Sequence, residues 1–553
     1  MSTLSYIHGA SDVPLIGDTI GTYLDMVVAK HTDDEALVSR HQGVRLTYKE
    51  LHAEVERVAL GLLGMGVNKG DRVGIWSPNN AEWVIVQYAT AKIGAILVNI
   101  NPAYRTHEIG YSLQQSGVSI LIMARGFRRT DHVSMLREVR PQLPDLREVV
   151  LLGEGTNDGA ITWEELLDRA GLVTLDSLRE REATLEFDDP INIQYTSGTT
   201  GFPKGATLSH HNILNNGFFT GQRLRLTPQD RVCLPVPFYH CFGMILGNLA
   251  FMTHGAAIIL PGEAFDPKAC LETVQDESCT ALYGVPTMFI RMLEEPEFDS
   301  YRLDTLRTGI MAGAPCPVEV MRRVVDRMNM REVTICYGMT ETSPVSFQSE
   351  VDDDIEHRVS TVGSIHPHVE TKIVDPETGR TVPRDTPGEL CARGYLVMLG
   401  YWNNPDATGE AIDQARWMHT GDLAVMREDG YVNIVGRLKD MIIRGGENVY
   451  PREIEEFLYT HPKVADVQVI GVPDAKYGEA VCAWIQLKEG EAATEEEVGA
   501  FCKGKIATYK IPRYVRFTDE FPMTVTGKVQ KYKMREVSIA EFGLEEVAKV
   551  RNA

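Results

Sequence analysis

The strongest constraint on this chain is a glycine-rich run at residues 195–205, which reads YTSGTTGFPKG. Its glycines permit positive φ, so successive backbone N–H groups can turn toward one point and form an anion-binding concavity. Its hydroxyls can donate to phosphate oxygens or bind a metal ion, and its lysine adds a mobile positive charge. The run therefore predicts a phosphate-binding loop, with Thr196, Ser197, Gly198, Thr199, Thr200, Gly201 and Lys204 as its binding residues.

The residues on either side of the run support this prediction. Residues 191–195 alternate in the manner of a strand, and Ser209 is placed to cap a helix that carries Ile213, Leu214 and Phe218 on one face. A strand, a glycine-rich loop and a helix N-terminus are the usual setting for bound phosphate. An ordinary flexible loop stays open as an alternative, because the run matches neither G-x-x-x-x-G-K-[ST] nor G-x-G-x-x-G.

The composition of the chain narrows the classes of function. With 553 residues and a net charge of −22, the chain is poorly suited to nucleic acid, since phosphate contacts need a basic surface. No apolar run approaches the ~18 residues that span a bilayer, so no transmembrane segment is expected. The first basic residue is Lys30, and the cysteines form no C-x-x-C pair. We therefore expect a cytosolic protein with reduced thiols and no structural zinc site.

Alternating helix and strand patterns predict the fold class. The patterns favour helices that start near residues 46 and 81, and strands at 71–76 and 95–99, which together indicate a mostly parallel sheet covered by helices. Beyond residue 440 the chain favours a small α+β unit, with strands near 467–471, 481–487 and 514–518 and helices from 452 and 494. The predicted class is α/β, with a large N-terminal domain of layered, mostly parallel sheets and a small α+β C-terminal domain.

Several further segments carry candidate functional residues. His240 stands alone in the apolar segment 234–244, where an imidazole is commonly a packed core residue. Segments 311–315 and 333–342 each predict a strand that ends in a glycine-containing loop, where α/β sheets present ligand-binding groups. Taken alone, Glu341 could be a solvated loop carboxylate and Lys528 a surface lysine.

The run at 195–205 resembles the TSGTTGxPKG signature of the adenylate-forming superfamily, which contains acyl-CoA synthetases, luciferases and the adenylation domains of peptide synthetases. Seven motifs of that superfamily occur in order between residues 195 and 531. Segments 237–243, 337–344 and 445–451 look most like medium-chain fatty acyl-CoA synthetases. The resemblance implies an AMP-binding domain at 1–439 and a mobile C-terminal domain at 440–553 that rotates about Asp440 between two half-reactions.

The resemblance also implies roles for individual residues. Lys528 is implied as the catalytic lysine, with Thr340 at the α-phosphate and His240 in the pocket for the acid. Thr200 and Glu341 are implied as magnesium ligands, and Mg²⁺ does prefer hard oxygen ligands of this kind. Beside the loop residues named above, the implied nucleotide-binding and CoA-binding residues are Gly313, Ala314, Pro315, Tyr337, Gly338, Met339, Asp422, Ile434, Arg437, Lys439, Asp440, Arg444, Gly445 and Gly446.

The implied function is that of an ATP-dependent acyl-CoA synthetase, which converts a small carboxylic acid, ATP and CoA through an acyl-adenylate, with Mg²⁺ as the metal ion. No carboxylate occurs between residues 234 and 251. An amino-acid substrate is therefore disfavoured, because its ammonium group would be buried without a partner. An aryl or short branched acid, a carrier protein as acceptor, luciferase-like oxidation, a non-enzymatic binding protein and a homo-oligomer all stay open.

Overall fold

The computed structural model describes residues 3–155, 159–196, 203–314, 316–445, 447–523 and 529–550. The chain divides into two compact units. The larger unit is Ile7–Thr371 with Cys391–His419, and the smaller unit is Met1–Tyr6, Lys372–Leu390 and Thr420–Ala553. Each unit is described in turn.

The larger unit contains a sheet of eight strands within the described residues. Its inner strands are almost continuously apolar and buried, as expected for parallel strands covered on both faces. The first six strands in sheet order are mutually parallel, and the last two are antiparallel to their neighbours. The order is Ile161–Thr162, Glu148–Leu152, Val118–Ala124, Arg72–Trp76, Ile96–Asn99, Pro190–Thr196, Lys204–Ser209 and Gly400–Tyr401.

A second large sheet of the same unit has seven strands in the described part of the chain, all parallel except the last. Its order is Glu332–Thr334, Thr308–Met311, Ala281–Gly284, Arg231–Cys233, Ala257–Leu260, Glu35–Ser39 and Val44–Thr47. A small antiparallel sheet, Cys336–Gly338, Val345–Gln348 and Ser364–Ile365, and the hairpin Gly126–Phe127 with Thr130–Asp131 complete the strands that lie in this unit alone.

Helices cover the two large sheets, and their ends follow capping chemistry. The helix predicted from residue 81 begins after Asn80, whose side chain accepts from the Trp83 N–H, and ends at Gly94, where φ is +68°. Phe242–Leu249 forms a π-helix. The α-helices of the larger unit are Ile20–Lys30, Tyr48–Gly64, Ala81–Ile93, Thr106–Ser116, His132–Val139, Trp163–Asp168, Leu175–Glu182, His210–Arg223, Ala250–Met252, Pro267–Asp276, Pro286–Leu293, Val318–Arg327, Ile355–Ser360 and Pro405–Ala411.

The smaller unit contains the predicted α+β segment. Two long antiparallel strands, Val464–Asp474 and Gly478–Leu487, pair along their whole length, and Tyr514–Phe517 joins the second in parallel. The short strand Ile442–Arg444 also pairs with Gly478–Leu487, through Arg444 and Gly478, and Glu447–Val449 pairs with Ile442–Arg444 in turn. The helix predicted over 494–506 ends earlier than expected, at Cys502. The α-helices are Pro451–Tyr459, Glu495–Cys502, Lys531–Glu541 and Glu545–Val550.

One further sheet includes strands that pass from one unit into the other along the chain. Its order is Tyr6–His8, Val369–Val374, Gly388–Gly394, Met418–Met426 and Val432–Arg437. The last two strands form the hairpin on which Asp422 and Arg437 lie.

Candidate active site

The two ends of the glycine-rich run lie on adjacent antiparallel strands. Thr196 and Lys204 are register partners, and the Thr196 hydroxyl donates to the Lys204 carbonyl oxygen at 3.3 Å. The predicted binding residues between them, Ser197, Gly198, Thr199, Thr200 and Gly201, lie outside the described residues. The run therefore connects two neighbouring strands, the sixth and seventh of the eight-stranded sheet.

The helix after the run starts where it was predicted, but a strand that was not predicted precedes it. The strand Lys204–Ser209 leads directly into the helix His210–Arg223, and residues 204–209 pair with the strand before the run. Ser209 does cap the helix as predicted, by accepting from the Asn212 N–H. Phe219, and not the predicted Phe218, is the fully buried aromatic of this helix.

Lys204 lies against an aromatic ring that the sequence patterns did not single out. Its Nζ is 5.0 Å from the centroid of the Tyr401 ring, within the range of a cation–π interaction. Tyr401 lies on the strand Gly400–Tyr401, opposite Ala206. Lys204 and Ala206 are two residues apart on one strand, so both side chains lie on the face of the sheet that also carries Tyr401.

Glu341, the predicted metal ligand, is buried in the short 3₁₀ turn Thr340–Thr342 and is 6% exposed. The Tyr401 hydroxyl donates to Glu341 Oε1 at 2.9 Å, which partly offsets the desolvation of the carboxylate. Burial, and then the negative charge of Glu341, raise the pKa of Tyr401, so its hydroxyl keeps its proton and stays a donor. The same tyrosine thus contacts both Lys204 and Glu341.

His240 lies half-buried immediately before the π-helix Phe242–Leu249, all of whose residues are buried. The Phe242 backbone N–H donates to His240 Nδ1 at 3.1 Å. This contact makes Nδ1 the acceptor, so the neutral imidazole carries its proton on Nε2. Cys241 Sγ lies 3.5 Å from His240 Nδ1 and 3.9 Å from the Thr340 hydroxyl. Cys241 therefore joins the predicted acid-pocket residue to the turn that contains Glu341.

The predicted adenine-binding segments follow neighbouring parallel strands of the seven-stranded sheet. Gly313, with φ of +88°, and Ala314 come after the strand Thr308–Met311. Pro315 lies outside the described residues. The segment predicted as one strand from 333 changes sheet at Ile335, since Glu332–Thr334 belongs to the parallel sheet and Cys336–Gly338 to the small antiparallel one.

The second adenine-binding segment is tightly packed around its glycine. Tyr337 is half-buried with its ring 6.3 Å from that of Phe347, and Met339 leads into the Glu341 turn. A Cβ at Gly338 would lie 1.8 Å from the Pro344 carbonyl oxygen, so any other residue would force the two backbone segments apart.

In the smaller unit the structure brings together the two predicted ribose-binding residues. Asp422 and Arg437 are register partners of the antiparallel hairpin, with Arg437 Nε 3.3 Å from Asp422 Oδ1. Ile434 lies opposite Ala424 on the same hairpin. The hairpin thus presents a carboxylate and a guanidinium side by side, a pair that can accept from and donate to neighbouring hydroxyls.

The predicted hinge and CoA-binding residues follow this hairpin directly. Lys439 and Asp440 end the 3₁₀ turn Leu438–Asp440, and Arg444 ends the next strand. Gly445 has φ of +63°, and a Cβ there would lie 3.2 Å from Cδ1 of Tyr477. Gly446 and Lys528 lie outside the described residues.

Arg444 also lies against aromatic and backbone groups of the smaller unit. Its Nη1 donates to the Tyr509 carbonyl oxygen at 2.6 Å, and its guanidinium carbon is 5.5 Å from the centre of the Tyr477 ring. The N–H of Gly445 donates to the Tyr477 carbonyl oxygen at 2.7 Å. These contacts fix the backbone at Arg444 and Gly445.

Residues 24–402 match the AMP-binding enzyme family, and residues 453–528 match the C-terminal domain of AMP-binding enzymes. The chain belongs to the AMP-binding enzyme family. The predicted superfamily and the predicted α/β class are thereby confirmed, and the members most similar to the chain extend the match over nearly its whole length.

Two relatives and one solved structure are similar to this chain over nearly its whole length. YngI of Bacillus subtilis (strain 168), named as an acyl-CoA synthetase, is 51% identical over 96% of this chain and 99% of its own length. The medium-chain acyl-CoA ligase ACSF2 of Bos taurus, named as mitochondrial, is 46% identical over 96% of this chain and 89% of its own. The anthranilate CoA ligase AuaEII in complex with anthranoyl-AMP superposes with a TM-score of 0.83, at 28% identity over 98% of this chain and 100% of that chain.

The helix lengths and the names of the relatives are two separate observations. Across the described residues, no helix of this AMP-binding enzyme has both the length and the apolar content that a membrane span needs. A relative named mitochondrial and a relative from a bacterium are similar to the chain to nearly the same degree.

Proposed function

We propose that the chain is an ATP-dependent acyl-CoA synthetase that joins a medium-chain fatty acid to CoA. A carboxylic acid, ATP and CoA would give acyl-CoA, AMP and pyrophosphate. The observation that carries the proposal is the similarity, over nearly the whole chain, to relatives named for acyl-CoA synthesis, one of them for medium-chain acids. The buried apolar π-helix after His240 supports an uncharged acyl group.

In the proposed first step the substrate carboxylate attacks the α-phosphorus of ATP, and pyrophosphate leaves. Two anions must approach each other, so electrostatic stabilisation should be the largest catalytic contribution. Lys528 would lie between the carboxylate and the α-phosphate, and Thr340 would donate to the α-phosphate. The loop from Thr196 to Lys204 would bind the β- and γ-phosphates. His240, with its proton on Nε2, would offer an N–H donor in the acid pocket.

The residues near the proposed phosphate site suit a magnesium ion. Mg²⁺ takes oxygen ligands and usually only one or two protein carboxylates beside substrate phosphates. The Glu341 carboxylate has two oxygens, and one hydrogen bond from Tyr401 leaves acceptor capacity for a cation. Bound there with the Thr200 hydroxyl, the ion would neutralise charge on the departing pyrophosphate.

The ribose of ATP would be bound by Asp422 and Arg437. Asp422 can accept two hydrogen bonds from a ribose diol, and Arg437 beside it can donate to the same hydroxyls. Tyr337 would stack on adenine, with Gly313, Ala314 and Pro315 along its edge. Ile434 and Met339 would supply the remaining apolar contacts.

In the proposed second step the CoA thiol attacks the acyl carbonyl and AMP leaves. Residues 440–553 would form a mobile domain that rotates about Asp440 between the two steps, so that Lys528 withdraws and the thiol gains access. Gly445 and Gly446 would line the path of the pantetheine arm, where a Cβ would intrude. Lys439 and Arg444 would contribute positive charge beside that path.

A panel of acids tests the proposal. Short- to long-chain, branched and aromatic acids would each be supplied with ATP and CoA, and the thioester would be identified by mass. We expect the highest kcat/KM for medium-chain fatty acids. Preference for an aryl acid, or acyl transfer to a holo-carrier protein but not to free CoA, would contradict the proposal. The cytosolic location and a homo-oligomeric state stay predictions, to be checked by fractionation and by light scattering.

A further inference from the structure

Tyr401 contacts two groups that the proposed function uses separately. Its hydroxyl donates to Glu341 Oε1 at 2.9 Å, and its ring lies 5.0 Å from Lys204 Nζ. Lys204 is the cation near the end of the glycine-rich run, whereas Glu341 belongs to the turn that connects two strands of the small antiparallel sheet, Cys336–Gly338 and Val345–Gln348. One side chain therefore connects the cationic end of the phosphate loop to the proposed metal carboxylate.

Backbone pairing fixes the position of Tyr401. Ala206 pairs with Tyr401 and Thr207 with Gly400, so the short strand continues the edge of the eight-stranded sheet. The Tyr401 N–H donates to the Thr408 hydroxyl at 2.9 Å, which anchors the strand to the next helix. A register slip of one residue would move the Tyr401 side chain to the other face of the sheet.

The partner turn is anchored independently. The carbonyl oxygen of Glu341 accepts from the Met398 N–H at 3.0 Å, and the Ser343 hydroxyl donates to the Leu396 carbonyl oxygen at 2.6 Å. Both anchors lie on the segment that leads directly into Tyr401. The distance between the Glu341 backbone and Tyr401 is therefore set by these two hydrogen bonds, and the Tyr401 hydroxyl needs only to fix the carboxylate itself.

We propose that Tyr401 is a positioning residue whose hydroxyl holds the Glu341 carboxylate in the orientation for a magnesium ion and whose ring holds the Lys204 ammonium. The inference rests on the proposed function, because it assigns Glu341 to the metal and Lys204 to the phosphates. A glutamate has three side-chain torsions, and a fixed hydrogen bond to one oxygen removes much of that freedom before the ion binds.

The two contacts can be removed separately. Tyr401→Phe deletes the hydroxyl and keeps the ring under Lys204, while Tyr401→Leu deletes both. Tyr48→Phe is the matched control, since it removes a hydroxyl from another tyrosine of the larger unit, one whose bond goes to the Ala256 carbonyl oxygen at 2.7 Å. Thermal melts of all variants compare their stability with that of the wild-type chain.

The test measures binding, not turnover. The probe is an ATP analogue with a methylene group between its α- and β-phosphates, titrated calorimetrically into the full chain with Mg²⁺ and, separately, with EDTA. A hydrogen bond to a charged group is typically worth about a tenfold change in affinity or more. We expect Tyr401→Phe to weaken binding about tenfold with Mg²⁺ and to change it little with EDTA. Tyr401→Leu should weaken binding in both conditions, and Tyr48→Phe in neither.

A second comparison guards against a general loss of structure. In a Glu341→Gln background, Tyr401→Phe should add little further loss, because the carboxylate that it positions is already gone. Additive losses, or equal losses with Mg²⁺ and with EDTA, would overturn the inference. The wild-type chain could bind the Mg²⁺-loaded analogue and yet form no thioester with any acid. That result would contradict the proposed function alone, because the binding measurements on the Tyr401 variants would still test the positioning role.

Discussion

Replacement of Asp422 by alanine separates a structural role for the Asp422–Arg437 pair from a role in ATP binding. Asp422 Oδ1 lies 3.3 Å from Arg437 Nε, and the Arg437 side chain is 48% exposed. Ion pairs this exposed contribute about 0–1 kcal/mol to stability. Hydrogen bonds to a charged group are worth about 1.5–3 kcal/mol each. If the carboxylate accepts from the ribose diol, its removal should raise the KM for ATP by at least about tenfold, and by about a hundredfold if both bonds are lost.

The assay for Asp422→Ala is ATP-dependent pyrophosphate exchange at saturating acid, with urea unfolding run in parallel. Arg427→Ala is the control, because Arg427 lies on the same hairpin and pairs with Asp429 at 3.7 Å. We expect both variants to keep stability within about 1 kcal/mol and only Asp422→Ala to lose ATP affinity. An unchanged KM for ATP, together with a loss of stability well above the control, would show that the pair is structural and would refute the ribose assignment.

Three further predictions test other parts of the chain. Gly445→Val should slow thioester formation from supplied acyl-adenylate and spare pyrophosphate exchange, because its side chain would press on Tyr477; equal loss in both assays would contradict this. Lys92 is fully buried and lies within 2.7 Å of two carboxylates. Lys92→Met should therefore lower the free energy of unfolding in urea by about 3 kcal/mol. An unchanged urea midpoint would contradict this prediction. Burial lowers the pKa of His210 to about 3. The contribution of the neutral His210 imidazole to the free energy of unfolding is complete above about pH 6.5, the ordinary pKa of histidine. This contribution is lost as the pH falls toward 3. His210→Asn should therefore make the unfolding free energy decline less steeply between pH 7 and 4. An unchanged slope of unfolding free energy against pH would show that His210 does not cause the decline.

The fold class was predictable because its signals are local. Buried strands are visible in the sequence as short apolar runs next to glycine. Helix ends are marked by capping residues, as Asn80 and Gly94 mark the ends of the helix that lies between them. The hairpin that pairs Asp422 with Arg437 was not predicted, because the two residues were named from the resemblance alone. Likewise, the strand Lys204–Ser209 looks locally like the end of a loop, and only its pairing with the strand before the run makes it a strand. The six residues of this strand are too few to show a clear apolar alternation, and strand pairing across a glycine-rich connection leaves no other pattern in the sequence.

A role could be proposed for an individual residue only where a motif carries it. His240 is ambiguous from its own surroundings, since a lone imidazole among apolar residues is commonly a core residue. The structure adds a physical reason to regard it as a donor, because the Phe242 N–H occupies Nδ1 and leaves the proton on Nε2. That assignment depends on the backbone at the start of the π-helix and could not be derived from spacing.

Tyr401 shows why part of the candidate site is invisible to sequence reasoning. It is separated from Glu341 by 60 positions and lies in a short strand with no alternating pattern. Its meeting with Lys204 and Glu341 arises from register, because pairing opposite Ala206 selects the face of the sheet on which the ring lies. A phenol can donate to a carboxylate and present its ring to an ammonium at the same time, whereas phenylalanine can do only the second. The residue type at this position is therefore constrained by two groups that are distant in the chain.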